Sequence, residues 1–164
     1  MGILFRFARS IAKCFVIAIL VVIAMKLALA ALGLRTWSIS GLSMLPTLQD
    51  ESVSITCSWT PIDRGDIVTI ESPLKEGEFW VKRVIGIPGD RIFTSGNYLE
   101  ANGEPDLISI KLGYSNSVVQ KETSLVLLED EYFVAGDNRS VSYDSRFVGP
   151  IKEDAIVSEQ LINF

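Results

Sequence analysis

Residues 14–34 are an apolar run too long and too uniform to be left in water. It reads Cys-Phe-Val-Ile-Ala-Ile-Leu-Val-Val-Ile-Ala-Met, is interrupted once by Lys26, and resumes from Leu27 to Leu34. At 21 residues it is long enough to cross a bilayer once as a helix, the one open-ended element that satisfies its own backbone there. Lys26 lies past the midpoint, where its stem can carry the amine to the outer interface. Arg6, Arg9 and Lys13 precede the run without an acid. That charge bias places residues 1–13 in the cytoplasm, 14–34 in the membrane and 35–164 outside the cytoplasm. The competing reading is a cleaved secretory signal, because Ala28-Leu29-Ala30 has a small-x-small pattern. Against it stand the lysine just before that site and the apolar residues after it.

Beyond the run the chain changes character. The other 11 basic residues and all 20 acidic ones lie there, a net charge of −9. A domain that acidic is a poor partner for nucleic acid, which needs clustered Lys and Arg. There is no histidine in the 164 residues. That excludes Ser-His-Asp and Cys-His catalysis and any metal site built on histidine. Cys14 lies in the apolar run and Cys57 beyond it, so a disulfide within the chain is not expected, and two cysteines make no structural zinc site. Without a histidine, Cys57 reads as a small half-buried residue.

The remaining chain is a succession of short alternating or β-branched stretches divided by turn residues. Strands are expected over 36–40, 52–57, 67–70, 79–87, 91–94, 98–101 and 131–135, with a last short strand opening at 148–151. Asp63-Arg64-Gly65-Asp66 and Pro88-Gly89 are turns, and Asn102-Gly103 is a type I′ hairpin signal. Residues 105–128 read as a hairpin-bearing insertion and 140–149 as a polar loop. No long amphipathic helix is visible. The expected fold is mostly β: one transmembrane helix, then an antiparallel β-barrel-like domain with a small β-rich insertion near 95–130.

Chemistry in such a chain has few sources. Ser43 sits in Ser40-Gly41-Leu42-Ser43-Met44-Leu45-Pro46-Thr47-Leu48, between a glycine-bearing turn and Met-x-Pro. Its plainer reading is a turn residue. A reactive hydroxyl needs a base, and a lysine serves only when burial keeps its amine neutral near pH 7. Lys82 has that setting, within Phe79-Trp80-Val81-Lys82-Arg83-Val84-Ile85. By alternation it shares a face with Trp80 and Val84 and can point inward, with Arg83 on the other face. Its plainer reading is an edge-strand lysine that blocks aggregation. A third constellation runs from Gly136 through Asp137, Asn138, Arg139 and Ser142 to Asp144 and Arg146. Its plainer reading is a solvated loop. Its acids and arginines alternate closely enough for ion pairs that stiffen it, and a hydroxyl there can orient a neutral amine.

Together these residues resemble the type I signal peptidases, or leader peptidases, which are membrane-anchored serine proteases with a Ser/Lys dyad. Four blocks carry the resemblance, in family order: Ser43-Met44-Leu45-Pro46-Thr47-Leu48, Arg64-Gly65-Asp66-Ile67-Val68, Lys82 through Asp90, and Gly136-Asp137-Asn138-Arg139 with Ser142, Asp144, Ser145 and Arg146. The resemblance implies that Ser43 is the nucleophile and Lys82 the general base. It implies that Ser142 hydrogen-bonds the Lys82 amine, that Asp144 pairs with Arg146 and Asp137 with Arg83, and that Gly136 leaves room beside the lysine. The Ser43 N–H would help form the oxyanion hole. Where some members have a second hydroxyl donor, two residues before the nucleophile, this chain has Gly41, with Ser40 one further back. Leu42, Met44, Val81 and Val84 are candidate pocket liners by position. No cofactor or metal is implied.

The implied substrate is an exported preprotein with Ala-x-Ala-like residues before the cleaved bond. The implied setting is the outer surface of the cell membrane, with Trp37, Trp59, Phe79 and Trp80 as candidate bilayer contacts. Three alternatives stand beside this reading, the first of the same chemistry and the other two of different classes. A processing peptidase dedicated to one substrate, such as a conjugative pilin, shares the chemistry. A self-cleaving repressor protease shares the dyad, but is soluble and carries a DNA-binding domain. A catalytically silent membrane-tethered β-domain would lack the dyad.

Overall fold

The computed structural model describes residues 2–112 and 122–163. The chain forms two compact units, residues 1–35 and 36–164. The first is a helix, α1, Gly2–Ala31. Its segment Ile11–Ala31 is long and apolar enough to cross a membrane. Phe15, Leu20, Val21 and Leu27 are each more than half exposed, and no apolar stripe is reserved for a protein core. The helix stops three residues short of the expected limit at 34. Gly33 takes φ 73°, a left-handed conformation that ends helices, and Leu34 already belongs to a strand.

The second unit is built from β1 (Leu34–Ser38), β2 (Val53–Cys57), β3 (Ile67–Glu71), β4 (Phe79–Gly86), β5 (Arg91–Ser95), β6 (Tyr98–Ala101), β7 (Glu104–Pro105), β8 (Thr123–Val126), β9 (Glu131–Ala135), β10 (Ile151–Lys152) and β11 (Ile156–Asn163). Two short helices, α2 (Leu107–Leu112) and α3 (Ser145–Val148), and a 3₁₀ turn at Glu153–Ala155 complete it. The large sheet, a curled half-barrel, has the order β1-β2-β11-β3-β4-β9-β10, and the small one β7-β6-β5-β8. The expected mostly β architecture behind a single apolar helix is therefore present.

β4 is the axis of the unit. It pairs with β3 in the register Val68↔Lys82 and Thr69↔Val81, and with β9 through Arg83↔Ala135 and Val84↔Val134. Its successive residues feed three cores. Val84 joins Val68, Ile70, Val134 and Ile151. Ile85 joins Ile92, Leu99, Leu127 and Phe133, beneath the small sheet. Val81 packs on Ile39, Met44 and Leu48, beneath the segment that carries Ser43. Lys82 lies between these anchors and cannot move independently of them.

The small sheet is a pair of tight hairpins. Gly96-Asn97 joins β5 to β6, with Gly96 at φ 61°, the first-position conformation that type II′ turns reserve for glycine. Asn102-Gly103 joins β6 to β7 with both residues at positive φ, as the sequence signal required. Within residues 105–128 the described part holds a helix, α2, where a hairpin was expected; residues 113–121 of that stretch lie outside the described residues.

Two further expectations need correction. The 140–149 loop contains one helical turn, α3, started by the Asp144 side chain accepting from the Arg146 N–H. A short strand, β10, does open at Ile151, but it is not the last: β11 follows and inserts between β2 and β3. Its apolar ends are separated by Ser158, Glu159 and Gln160, and its register shifts at two places. Those breaks hide the alternation by which a strand is recognised in sequence.

Candidate active site

Ser43 is carried by an irregular segment after β1. Backbone bonds between Ile39 and residues 51 and 52 close its base, and the Gly41 N–H donates to Asp50 Oδ1 at 2.8 Å. Gly41 has φ 101°, which lets the chain turn back before Ser43. Met44 and Leu48 are buried on either side of Pro46, whose peptide bond is cis. These two side chains pin the turn to the core and leave Ser43 at its half-buried crest.

Lys82 reaches that crest from β4. Its Nζ lies 3.1 Å from Ser43 Oγ, within hydrogen-bonding reach. The lysine is buried, only 4% exposed. Burial holds its pKa below the ordinary 10.5; nearby Asp144 opposes that shift and Arg146 adds to it. The Trp80 ring centroid is 5.7 Å from Nζ. A cavity of about 190 Å³ opens beside the pair, lined by Ser40, Gly41, Ser43, Met44, Val81 and Lys82 among others. Of the four positions expected to line it, Met44 and Val81 do. Leu42 is exposed, and Val84 is sealed in the core on the opposite side.

The 136–146 loop is locked against this turn. The Asn138 N–H donates to the Ser43 carbonyl at 2.9 Å, and Asn138 Nδ2 to the Leu42 carbonyl at 3.1 Å. Asp137 receives Thr47 Oγ1 at 2.5 Å and is paired with Arg83 through Nε at 2.8 Å and Nη2 at 2.6 Å. Asp144 receives Arg146 Nε at 2.8 Å and the Gly136 N–H at 3.0 Å. Burial disfavours its charge, but the Arg146 guanidinium outweighs that and holds the Asp144 carboxyl below the usual carboxylate range. Gly136 is needed for close approach. A Cβ there would lie 2.3 Å from Ser142 Oγ and 2.5 Å from the Ser43 carbonyl oxygen. The nearest atoms it makes room for are those of Ser142 and the Ser43 carbonyl.

One expected contact is missing. Ser142 Oγ is buried and makes no hydrogen bond to the Lys82 amine; it faces Asp144, whose carboxyl it helps to hold low. Ser40 lines the cavity but is exposed. The Ser43 N–H makes no backbone hydrogen bond among the described residues and is free to donate.

Several residues without a role in the motifs brace the site or the strands behind it. Asn138 and Thr47 tie the two segments together. Arg64 and Asp90 form an ion pair that also takes in the Ile87 N–H and the Asn102 side chain. Asp106 and Asn97 reach the 136–146 loop from the small sheet.

The model of the family described as signal peptidase, peptidase S26, matches residues 8–164. The chain belongs to that family. It is 33% identical to signal peptidase I U of Bacillus subtilis, over 94% of this chain and 88% of the relative. It is 35% identical to signal peptidase I V of the same organism, over 74% and 80%. Signal peptidase IB of Staphylococcus aureus is 35% identical over 78% and 76%. A crystal structure of a signal peptidase I from Enterococcus faecalis superposes with a TM-score of 0.50 at 28% identity, over 61% of this chain and 97% of that one. Membership makes the chain one of a family of serine endopeptidases that remove signal peptides. The cavity beside Ser43 and Lys82 is where this chain has a hydroxyl and a buried amine in contact.

Proposed function

We propose that this protein cleaves signal peptides from exported preproteins with Ser43 as nucleophile and Lys82 as general base. The observation that carries the reading is the 3.1 Å approach of Lys82 Nζ to Ser43 Oγ, in surroundings that disfavour the charged amine. The neutral amine takes the Ser43 proton as Oγ attacks the scissile carbonyl. The oxyanion then accepts a hydrogen bond from the Ser43 N–H, a donor type worth about 3 kcal/mol in a transition state. Collapse expels the new amine terminus, which takes the proton from Lys82, and leaves the signal peptide esterified to Ser43. Lys82 next deprotonates a water, whose oxygen attacks the ester; on collapse the ester C–O bond breaks, and Ser43 Oγ leaves with the proton from Lys82, which restores both groups.

Thr47–Asp137 and the Asn138 bonds hold the two segments in register, Asp137–Arg83 ties the loop to β4, Asp144–Arg146 stiffens the loop, and Gly136 keeps the approach close. Ser142 Oγ, buried in the same loop as Asp144, turns toward the amine when substrate fills the cavity in this reading. Ser40 is the side-chain candidate for a second oxyanion donor, since the Gly41 N–H is already taken by Asp50. A cavity of about 190 Å³ suits small side chains of the Ala-x-Ala kind. The helix anchors the protein in the cell membrane with residues 1–13 in the cytoplasm and the β unit outside, facing substrate as it emerges.

The deciding experiment incubates the purified protein with a preprotein bearing an Ala-x-Ala site, beside its Ser43→Ala variant. Cleavage after the second small residue by the wild type alone is expected. Equal cleavage by the variant removes Ser43 as the nucleophile, and an inert wild type supports a silent domain. N-terminal sequencing of the mature protein separates a retained anchor from a cleaved leader.

A further inference from the structure

Two arginines of the 136–146 loop point away from the cavity, into the small sheet. The Arg139 side chain is wholly buried. Its Nη2 donates to Asp106 Oδ1 at 2.6 Å and its Nη1 to Asp106 Oδ2 at 3.0 Å, the bidentate geometry that fixes a guanidinium in direction as well as distance. Nη1 also reaches the Asn97 carbonyl and Ser109 Oγ, both at 3.3 Å. The remaining donor, Nε, goes back to the loop and binds the Gly136 carbonyl at 3.0 Å. Arg146, also buried, places Nη1 3.0 Å from Asn97 Oδ1 and Nη2 3.2 Å from the Ser142 carbonyl. Asp106 is itself held by Ser109 Oγ at 2.5 Å, and that hydroxyl accepts the Leu99 N–H.

We propose that the small sheet and α2 act as a clamp on the active-site loop, with Asp106 and Asn97 as positioning residues. Asp106 acts through Arg139 on the Gly136 carbonyl. Gly136 in turn sits against the Ser43 carbonyl and Ser142, so its position sets how the loop meets the nucleophile turn. Asn97 acts through Arg146 on Asp144 and on the Ser142 backbone. Neither residue lines the cavity beside Ser43, so the clamp governs the alignment of the reacting groups and not the capture of substrate. The inference rests on the Ser43/Lys82 reading.

The test uses the full-length chain in lipid vesicles with a preprotein substrate. Ser43→Ala is run alongside and decides the nucleophile by itself, whatever the clamp variants do. Asp106→Asn, which leaves Arg139 buried without its counter-charge, is expected to lower kcat about 10- to 100-fold with KM unchanged, as small misplacements of reacting groups do. Asp106→Leu with Arg139→Met replaces the ion pair by apolar groups of similar size and is expected to recover the thermal midpoint. It stays slow, because the Gly136 carbonyl still lacks its donor. Asn97→Ala is expected to be slow at a native thermal midpoint, and Asn97→Asp, which keeps an acceptor for Arg146, to recover most of the rate. Wild-type kcat in the double variant or in Asn97→Ala overturns the clamp, as does a loss confined to KM. If the double variant is both slow and unstable, the Asn97 pair decides.

Discussion

Lys82 Nζ and Ser43 Oγ stand 3.1 Å apart although 39 positions separate the two residues in the chain. The lysine is fixed by β4, whose neighbours on the strand feed three hydrophobic cores. The serine is fixed by Met44 and Leu48 in one of those cores, the one Val81 also packs against. A single packed cluster therefore positions both partners, and the proposed mechanism follows from their separation.

Removing either partner should stop the reaction. Ser43→Ala and Lys82→Ala are each expected to lower kcat/KM on a preprotein by about 10⁴-fold or more. Lys82→Arg should be equally inactive, because a guanidinium does not release its proton. In the wild type kcat/KM should rise with pH and level off below lysine's ordinary 10.5, since burial lowers the Lys82 pKa. A rise that continues to 10.5 in the measured pH profile contradicts a buried base.

The same burial makes Lys82 a cost to stability. Between its folded pKa and the ordinary 10.5, the unfolded chain binds a proton that the folded chain does not, so stability rises with pH across that window. Below the folded pKa the penalty is constant and complete. Lys82→Met should therefore raise the thermal midpoint at neutral pH, by about 2–4 °C per kcal/mol recovered. The gain should fade as pH approaches 10.5, which a series of melts in different buffers checks.

Gly136→Ala should cost activity and stability together. The added methyl meets Ser142 Oγ at 2.3 Å and the Ser43 carbonyl oxygen at 2.5 Å. Overpacking of this kind costs about 1–3 kcal/mol, visible in denaturant midpoints. Combining it with Ser142→Ala should not restore kcat, because the clash with the Ser43 backbone remains.

Asp144→Asn should leave the Arg146 charge buried and uncompensated, at a cost of about 3–5 kcal/mol in urea unfolding. In the wild type the folded pKa of Asp144 is below its ordinary 3.8, so the stability it contributes is present above 3.8 and is lost as pH falls through the folded value. Asp106 is shifted in the same direction: burial opposes its charge, and Arg139 prevails. An acid titration followed by circular dichroism should show a shallower loss of stability below pH 3.8 in Asp144→Asn than in the wild type.

What the sequence determined by itself was local. An apolar run with a single lysine forms a helix because nothing in it competes, and Asn102-Gly103 makes a hairpin because both positions take positive φ. The run around Lys82 forms a strand by its composition, and the absence of histidine left Asp, Glu or a buried lysine as the base for a serine. The tertiary structure decided everything that depends on which strands meet. β11 enters the middle of the sheet with a polar stretch and two register shifts that no alternation betrays. Leu42 and Val84 have the right spacing to line a cavity, yet one faces solvent and the other a core. Arg139 finds Asp106 across 33 positions and Asn138 finds the Leu42 carbonyl across 96. Periodicity records which way a side chain leaves its own strand, whereas its partner is set by topology and by the burial that closes the sheet around it.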